Sequence, residues 1–462
     1  MSTQTADKKA AFMAKLDAVL AVVLKVVNSK SIVAIKEGFM LTMPLTIIGS
    51  VFLLLAFIPI DGYGDFMTGI FGAEWSTPLF QVVGATFDIL ALIGAFGIAY
   101  TYVKYEGHVG TNAGVLAVVS LLIVSNGFVM APDGITKVGG VIPKEYLGGK
   151  GMIAAIIIGL VVGKIYAMAL NRNWVIKLPD SVPEGVANAF KSLIPGFLII
   201  SLAFLTFIFF NAGFDQTFIE TIYTILQTPL QNMSDSFWGA LSIALLISLL
   251  WWCGVHGPVI VMGIMGPIVT ANGLHNQALI NAGETLVAGG NAKIVTNQFV
   301  DQFLTVGGSG LTFGLVCCMV MFARSAQMKQ LGRLSFVPGI FNINEPVIFA
   351  TPIIFNPIMF IPFVLAPALS VCMVYAAVNM GIVGPFSAIQ VPWTTPIVLS
   401  GFIVGGWTAA VLQVGVLIMT ICVYFPFFKY QDKLNAAEEH QAKRQEEQRQ
   451  QEEQSGAQPV TS

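Results

Sequence analysis

The sequence predicts an all-α polytopic membrane protein with about ten transmembrane helices, two re-entrant hairpins and a cytoplasmic amphipathic helix. Three observations predict it. Of 462 residues, 55% are hydrophobic and 10% charged, and the mean hydropathy is +0.78, a balance that favours lipid over water as solvent. Long stretches carry no Asp, Glu, Lys or Arg at all. The Lys and Arg residues between them fall mostly on alternate loops, as the positive-inside rule requires.

A spanning helix needs ~20 consecutive apolar residues. Gly38 to Ile60, Thr111 to Pro132, Ser192 to Phe214 and Gln302 to Ala323 meet that need without a formal charge. Gln81 to Val103 carries only Asp88, and Gly151 to Asn171 only Lys164. Ser236 to Gly283 and Pro346 to Phe428 are bare and long enough for more than one crossing each.

Lys8, Lys9, Lys15, Lys25, Lys30 and Lys36 precede the first apolar run, so the N-terminus is expected in the cytoplasm and no cleavable signal peptide is expected. The loop 61–77 has no basic residue, whereas 172–191, 324–333 and the chain from Lys429 do. The loop 132–150 breaks the pattern, because it belongs outside yet holds Lys137, Lys144 and Lys150. With both termini inside, the count of crossings is even, and ten fits.

Segment 171–194 is too polar to cross lipid. After Pro183, Val186, Phe190 and Leu193 can share one face, which reads as a helix lying on the membrane surface; an ordinary solvated connector is the alternative. That segment closes the first of two expected units, 1–230, with a second unit at 231–430. Residues 431–462 form a Gln/Glu-rich tail with seven acidic and four basic side chains, expected to be disordered and cytoplasmic.

Several function classes are excluded. Basic residues form no footprint for nucleic acid. The five cysteines, Cys253, Cys317, Cys318, Cys372 and Cys422, lie in apolar segments without CxxC spacing and read as packing residues. No metal and no cofactor is expected.

Chemistry concentrates where helices break. Between Leu334 and Phe428 the single charged side chain is Glu345, in FNINEPVIFATPIIFNP. A charge at membrane depth costs at least ~2.5–3.5 kcal/mol on insertion scales, so an isolated one implies a function. Prolines at 338, 346, 352, 357, 362 and 367 are too dense for one continuous helix. Broken backbone at that depth survives where it lines a cavity, so a re-entrant segment is expected at about 338–357, with Glu345 facing a polar ligand. WWCGVHGPVIVMGIMGPIV is a second interrupted stretch, giving a re-entrant expectation at about 256–272 and making His256 a ligand contact. His108 and His275 lack that context and read as core residues.

Asn344 offers an amide suited to a hydroxyl that both gives and takes hydrogen bonds, with local capping of the broken helix as the alternative. Trp393, in VPWTTP, suits stacking on a pyranose ring or an interfacial belt, and Trp251 and Trp252 are equally open. By pattern alone, a transporter coupled to protons through Glu345 and a phosphotransferase subunit both remain.

LPDSVPEGVANAFKSLIPG, WWCGVHG, NINEPVIFATPIIFNP and VPWTTP, in this order and at these separations, resemble the enzyme IIC component of the lactose/cellobiose/N,N'-diacetylchitobiose family of the bacterial phosphotransferase system (PTS). The resemblance covers residues 15 to 430. Ala350-Thr351 departs from the family pattern and bears on fine sugar preference. The resemblance implies a homodimer in the bacterial plasma membrane, its first half forming the interface and its second half a mobile transport domain with two re-entrant hairpins. It also implies that Glu345 and His256 contact a β-linked disaccharide, whose hydroxyl is phosphorylated by a phosphocysteine on a separate enzyme IIB, charged in turn by IIA. A carboxylate beside such a hydroxyl can take its proton as the oxygen attacks phosphorus, and the rest of phosphoryl transfer is mostly positioning.

Overall fold

A computed structural model describes residues 28–58, 62–131, 136–179, 181–214, 216–351 and 353–456, with Ala21 and Lys25; for 449–456 only the backbone is described. Lys8, Lys9 and Lys15, on which the expected orientation leans, lie outside the described residues, as does the tail beyond 456.

Helices dominate because charge-free runs of good helix formers leave the backbone no partner but itself once water is removed. Seven are long and apolar enough to cross a membrane: Lys30–Ala56, Thr77–Tyr105, Gly149–Asn171, Leu193–Phe214, Gly257–Asn281, Pro357–Asn379 and the apolar part of Leu399–Gln448. Two further candidates are bent, Phe218–Ser234 with Phe237–Trp252 by 74° and Asn297–Leu311 with Phe313–Phe322 by 53°. Thr111–Ile123 is a shorter apolar helix. By length and composition this gives up to nine spans among the described residues.

Buried apolar side chains fall into three groups. One draws on residues between Ala91 and Ile219, and the largest on residues between Ala240 and Phe428. The third, with Leu53, Phe87, Leu90, Met152, Ala271 and Ile389, joins elements of both halves. Small residues let helices approach closely: a Cβ on Gly38 would lie 2.5 Å from the backbone nitrogen of Ile98.

The loop that breaks the charge pattern contains a two-stranded hairpin, Phe128–Met130 against Lys137–Gly139. Two of its lysines are neutralised locally, Lys144 at 3.8 Å from Asp88 and Lys150 at 2.7 Å from Glu145. Pro183 precedes a helix at Glu184–Lys191, with Val186 and Phe190 exposed on it; Leu193 already belongs to the next helix.

Two expectations need correction. Residues 256–272 do not form a hairpin: His256 caps one helix, Gly257–Asn281, that continues through Pro267. Pro267 forgoes one backbone hydrogen bond, yet the helix runs on past it to Asn281. The tail is not disordered from 431. The last helix carries on through Gly456, because Asp432 and Glu439 find backbone partners at the start of the helix Ala326–Ile340. Asp432 accepts from the N–H groups of Arg324 and Ser325, and Glu439 from those of Ala326 and Gln327 and from the Ser325 hydroxyl. A helix N-terminus has unpaired N–H donors and a positive dipole end, and two carboxylates satisfy both.

Candidate functional site

Three chain interruptions meet at one place. The first is VGGSG, where Gly307, Gly308 and Gly310 take positive φ values of 70°, 89° and 75°, breaking the helix that Asn297 begins. The second is the turn between Ala326–Ile340 and the short helix Glu345–Ala350, where Asn342 has φ 64°. The third is VPWTTP, between Pro357–Asn379 and Leu399–Gly456.

Asn342 ties all three. Its Oδ1 accepts from the Gly307 N–H at 2.6 Å, and its Nδ2 donates to the carbonyls of Trp393 at 2.6 Å and Thr395 at 3.0 Å. The Ile397 N–H adds a bond to the Ile340 carbonyl at 3.2 Å. Asn344 serves the same junction: it is 5% exposed, and Nδ2 donates to the Ser309 carbonyl at 2.8 Å and the Thr312 hydroxyl at 2.9 Å. Gly308 is required there, since a Cβ would sit 2.3 Å from Asn344 Cγ. The Asn344 side chain makes no capping bond to the short helix it precedes; its donors are used instead to tie that helix to the Ser309–Thr312 turn.

Glu345 opens the short helix, where a carboxylate suits the dipole. Its Oε2 is buried and has no hydrogen-bond partner among the described residues. Buried polar atoms are nearly always paired, so an orphan acceptor marks a place for something else. At the other end of that helix the Thr351 hydroxyl is also buried and unpaired.

The WWCGVHG turn packs against this helix and the chain after it. The Phe355 N–H donates to the Trp252 carbonyl at 3.1 Å, and Trp252 Nε1 donates to the Asn356 carbonyl at 3.1 Å. Gly254 takes φ 81°, and Gly257 lets the chain pass within reach of the Ile247 carbonyl, 2.1 Å from where a Cβ would be. His256 Nδ1 accepts from the Val259 N–H at 3.4 Å, an assignment that leaves the proton of the neutral ring on Nε2, which bonds to no described residue. The imidazole is exposed, is close enough to Glu345 to interact electrostatically, and lies 4.6 Å from the Trp251 ring. Trp251 in turn lies 6.5 Å from Phe349, and its Nε1–H is buried without an acceptor.

Glu345 and His256 are thus brought together, with Trp251 and Thr351 added by the fold. Trp393 is 50% exposed and tied to the junction by its backbone rather than its ring. Sequence reasoning missed VGGSG and Asn342. A glycine cluster inside an apolar run was the available signal for the first. Nothing distinguished Asn342 from Asn344 beforehand.

Beside the His256 turn a cavity of about 250 Å³ lies between the first helices, at Lys36, Thr42 and Thr46, and the helix Gly257–Asn281, at Val259, Gly266 and Thr270. An acceptor, an imidazole and an indole donor left unpaired at helix breaks, next to a cavity between two helical units, define a multi-pass membrane carrier for a small polar solute.

The particular family is shown by sequence. A family profile described as phosphotransferase system, EIIC matches residues 36–367, and the chain belongs to that family of sugar permeases. The chain is 41% identical over 421 residues to a putative permease IIC component, YwbA, of Bacillus subtilis, covering 90% of this chain and 94% of that one. It is 39% identical over 429 residues to the PTS system cellobiose-specific EIIC component of Geobacillus stearothermophilus, covering 92% and 94%. Among solved structures, the transporter ChbC, the IIC component from the N,N'-diacetylchitobiose-specific phosphotransferase system, matches with a TM-score of 0.87 and 38% identity over 91% of this chain and 98% of that one.

Proposed function

We propose that this permease takes up a β-linked disaccharide of the cellobiose, chitobiose or lactose type across the bacterial plasma membrane while phospho-enzyme IIB, on a separate chain served by IIA, phosphorylates it. The names of the relatives support the substrate class. The observation that carries the mechanism is the orphan Oε2 of Glu345 beside the free Nε2 of His256. A sugar hydroxyl donates to the carboxylate and accepts from the imidazole. As that hydroxyl oxygen attacks phosphorus, Glu345 takes its proton and the cysteine sulfur leaves with the electron pair. The Trp251 N–H and Thr351 hydroxyl hold neighbouring hydroxyls, and Trp393 offers a stacking face at the rim. Asn344 contributes through its remaining oxygen.

Counting Thr111–Ile123 with the nine longer candidates gives ten crossings, with both termini cytoplasmic. Two hairpins re-enter the membrane in this reading. One is Ala326 to Asn356 with its tip at Glu345, overlapping the 338–357 segment expected from sequence. The other is the chain from Gly381 to Gly406, whose tip is VPWTTP and which turns back where Gly405 and Gly406 leave helical geometry. The helix Glu184–Lys191 lies on the cytoplasmic surface. Residues up to about 230 form the scaffold of a homodimer, and 231–430 the transport domain, in line with the separate apolar cores.

The test is Glu345→Gln in vesicles supplied with phosphorylated IIB. Folded protein that yields no sugar phosphate is expected. Normal turnover would remove Glu345 from the mechanism, and free sugar accumulated in a protonophore-sensitive way would assign proton coupling instead.

A further inference from the structure

We propose that the permease has a second carbohydrate site, a weak receiving site at the end of the helix Gly257–Asn281 remote from His256. A cavity of about 310 Å³ lies there, between Phe87, Gly149 and Tyr223 of the first unit and the last two turns of that helix. Its size falls at the low end of the ~300–1,000 Å³ typical of small-molecule sites.

The walls carry polar groups with nothing to bind. Gln231 is 5% exposed, and its side-chain amide makes no hydrogen bond to any described residue. Gln277 is 3% exposed; its Nε2 donates to Asn281 at 2.9 Å, but its Oε1 has no partner. A fully buried acceptor without a partner, as Gln277 Oε1 is, favours a ligand that pairs it, and the Gln231 amide is available to the same ligand. By contrast Gln227, in the same wall, is fully used by the Gly149 carbonyl at 2.7 Å and the Ile153 N–H at 3.3 Å. The Gln231 amide and Gln277 Oε1 thus differ from Gln227 in lacking a partner among the described residues.

The charges argue for a neutral ligand. Asp88 with Lys144 and Glu145 with Lys150 are two acids and two bases, already paired across the cavity wall, so no net field draws in an ion. Amides that both donate and accept, beside the Tyr223 ring, match a polyhydroxylated ring with one apolar face. An apolar layer separates this cavity from the one beside His256: Ala271 and Leu274 face Phe87 on one side, and Met152 closes the other. The two sites are thus distinct and share one helix.

The assignment to sugar rests on the permease reading above; the test reads binding alone, so it separates from the phosphotransfer test. Labelled cellobiose is titrated against purified full-length protein in nanodiscs, using Glu345→Gln to disable the inner site. Residual saturable binding is expected, weakened at least tenfold by Gln231→Leu with Gln277→Leu. Asn281→Trp is expected to weaken it equally; that residue is exposed at the rim, so the substitution blocks the cavity without touching the core. In whole cells, with Glu345 restored, Gln231→Leu with Gln277→Leu and Asn281→Trp are each expected to raise the KM for uptake by a larger factor than they lower kcat. Absence of residual binding in Glu345→Gln, or residual binding indifferent to both Gln231/Gln277 and Asn281→Trp, overturns the site.

Discussion

Asn342 has a side chain that joins three helix breaks at once. With its bonds to Gly307, Trp393 and Thr395 removed, three backbone groups at the two other helix breaks lose their partner. Asn342→Ala is expected to destabilise by about 2–4 kcal/mol, read as a fall in melting temperature in detergent, with φ 64° adding strain that Asn tolerates better than Ala. His256 acts differently, since its Nε2 is free for ligand. His256→Ala is expected to weaken cellobiose binding at least tenfold while leaving the melting temperature of the empty protein within a degree or two; calorimetric titration and thermal unfolding on the same sample separate the two. Glu345 was readable from sequence because a lone charge in 95 bare residues is costly and so conspicuous. Asn342 was not, because an amide costs far less to bury, and its importance depends on three distant segments converging.

Single elements show the same contrast between local and distant causes. Proline spacing and the VHG turn announce themselves within a few residues, and the helix breaks at Glu345 and His256 follow. Whether an interrupted stretch reverses direction is decided by its neighbours. Gly257–Asn281 stays one continuous helix, while Gly405 and Gly406 turn the chain within an otherwise helical run. The tail is a clearer case. Its composition alone cannot support folding, yet Asp432 and Glu439 find donors more than 100 residues away in sequence. Asp432→Ala is expected to cost about 1–2 kcal/mol, like loss of a helix cap. The Ser325 hydroxyl, with the Gln327 and Ala326 N–H groups, holds the Glu439 carboxyl below its ordinary value. Its contribution is therefore present above the pKa of a free glutamate and is lost as pH falls through the lower, folded value. The difference in stability between wild type and Glu439→Gln should be full at pH 7, begin to shrink as pH falls through the free-glutamate value of about 4.3, and be lost below the lower, folded value; a difference that does not shrink on acidification would contradict the cap.

At the scale of the molecule, two cavities flank an apolar layer along one helix, and on the proposed route sugar passes from one to the other. Gly266 lines the cavity beside His256, and a side chain there would meet nothing within 4 Å. Gly266→Trp is expected to fold normally and abolish sugar phosphorylation by filling that space; full activity would place the route elsewhere. Composition and charge spacing give the membrane class and most spans, because they act one segment at a time. The apolar layer, assembled from Leu53 to Ile389, is beyond any local pattern. One consequence of the Glu345 carboxylate reaches the handling of the protein itself. On the proposed binding mode, cargo pairs an oxygen, an indole N–H and a hydroxyl that have no protein partner among the described residues. A hundredfold excess of sugar over its dissociation constant raises the unfolding free energy by about 2.7 kcal/mol. Vacant permease is thus the fragile form, and a cell short of substrate holds its transporters in their least durable condition.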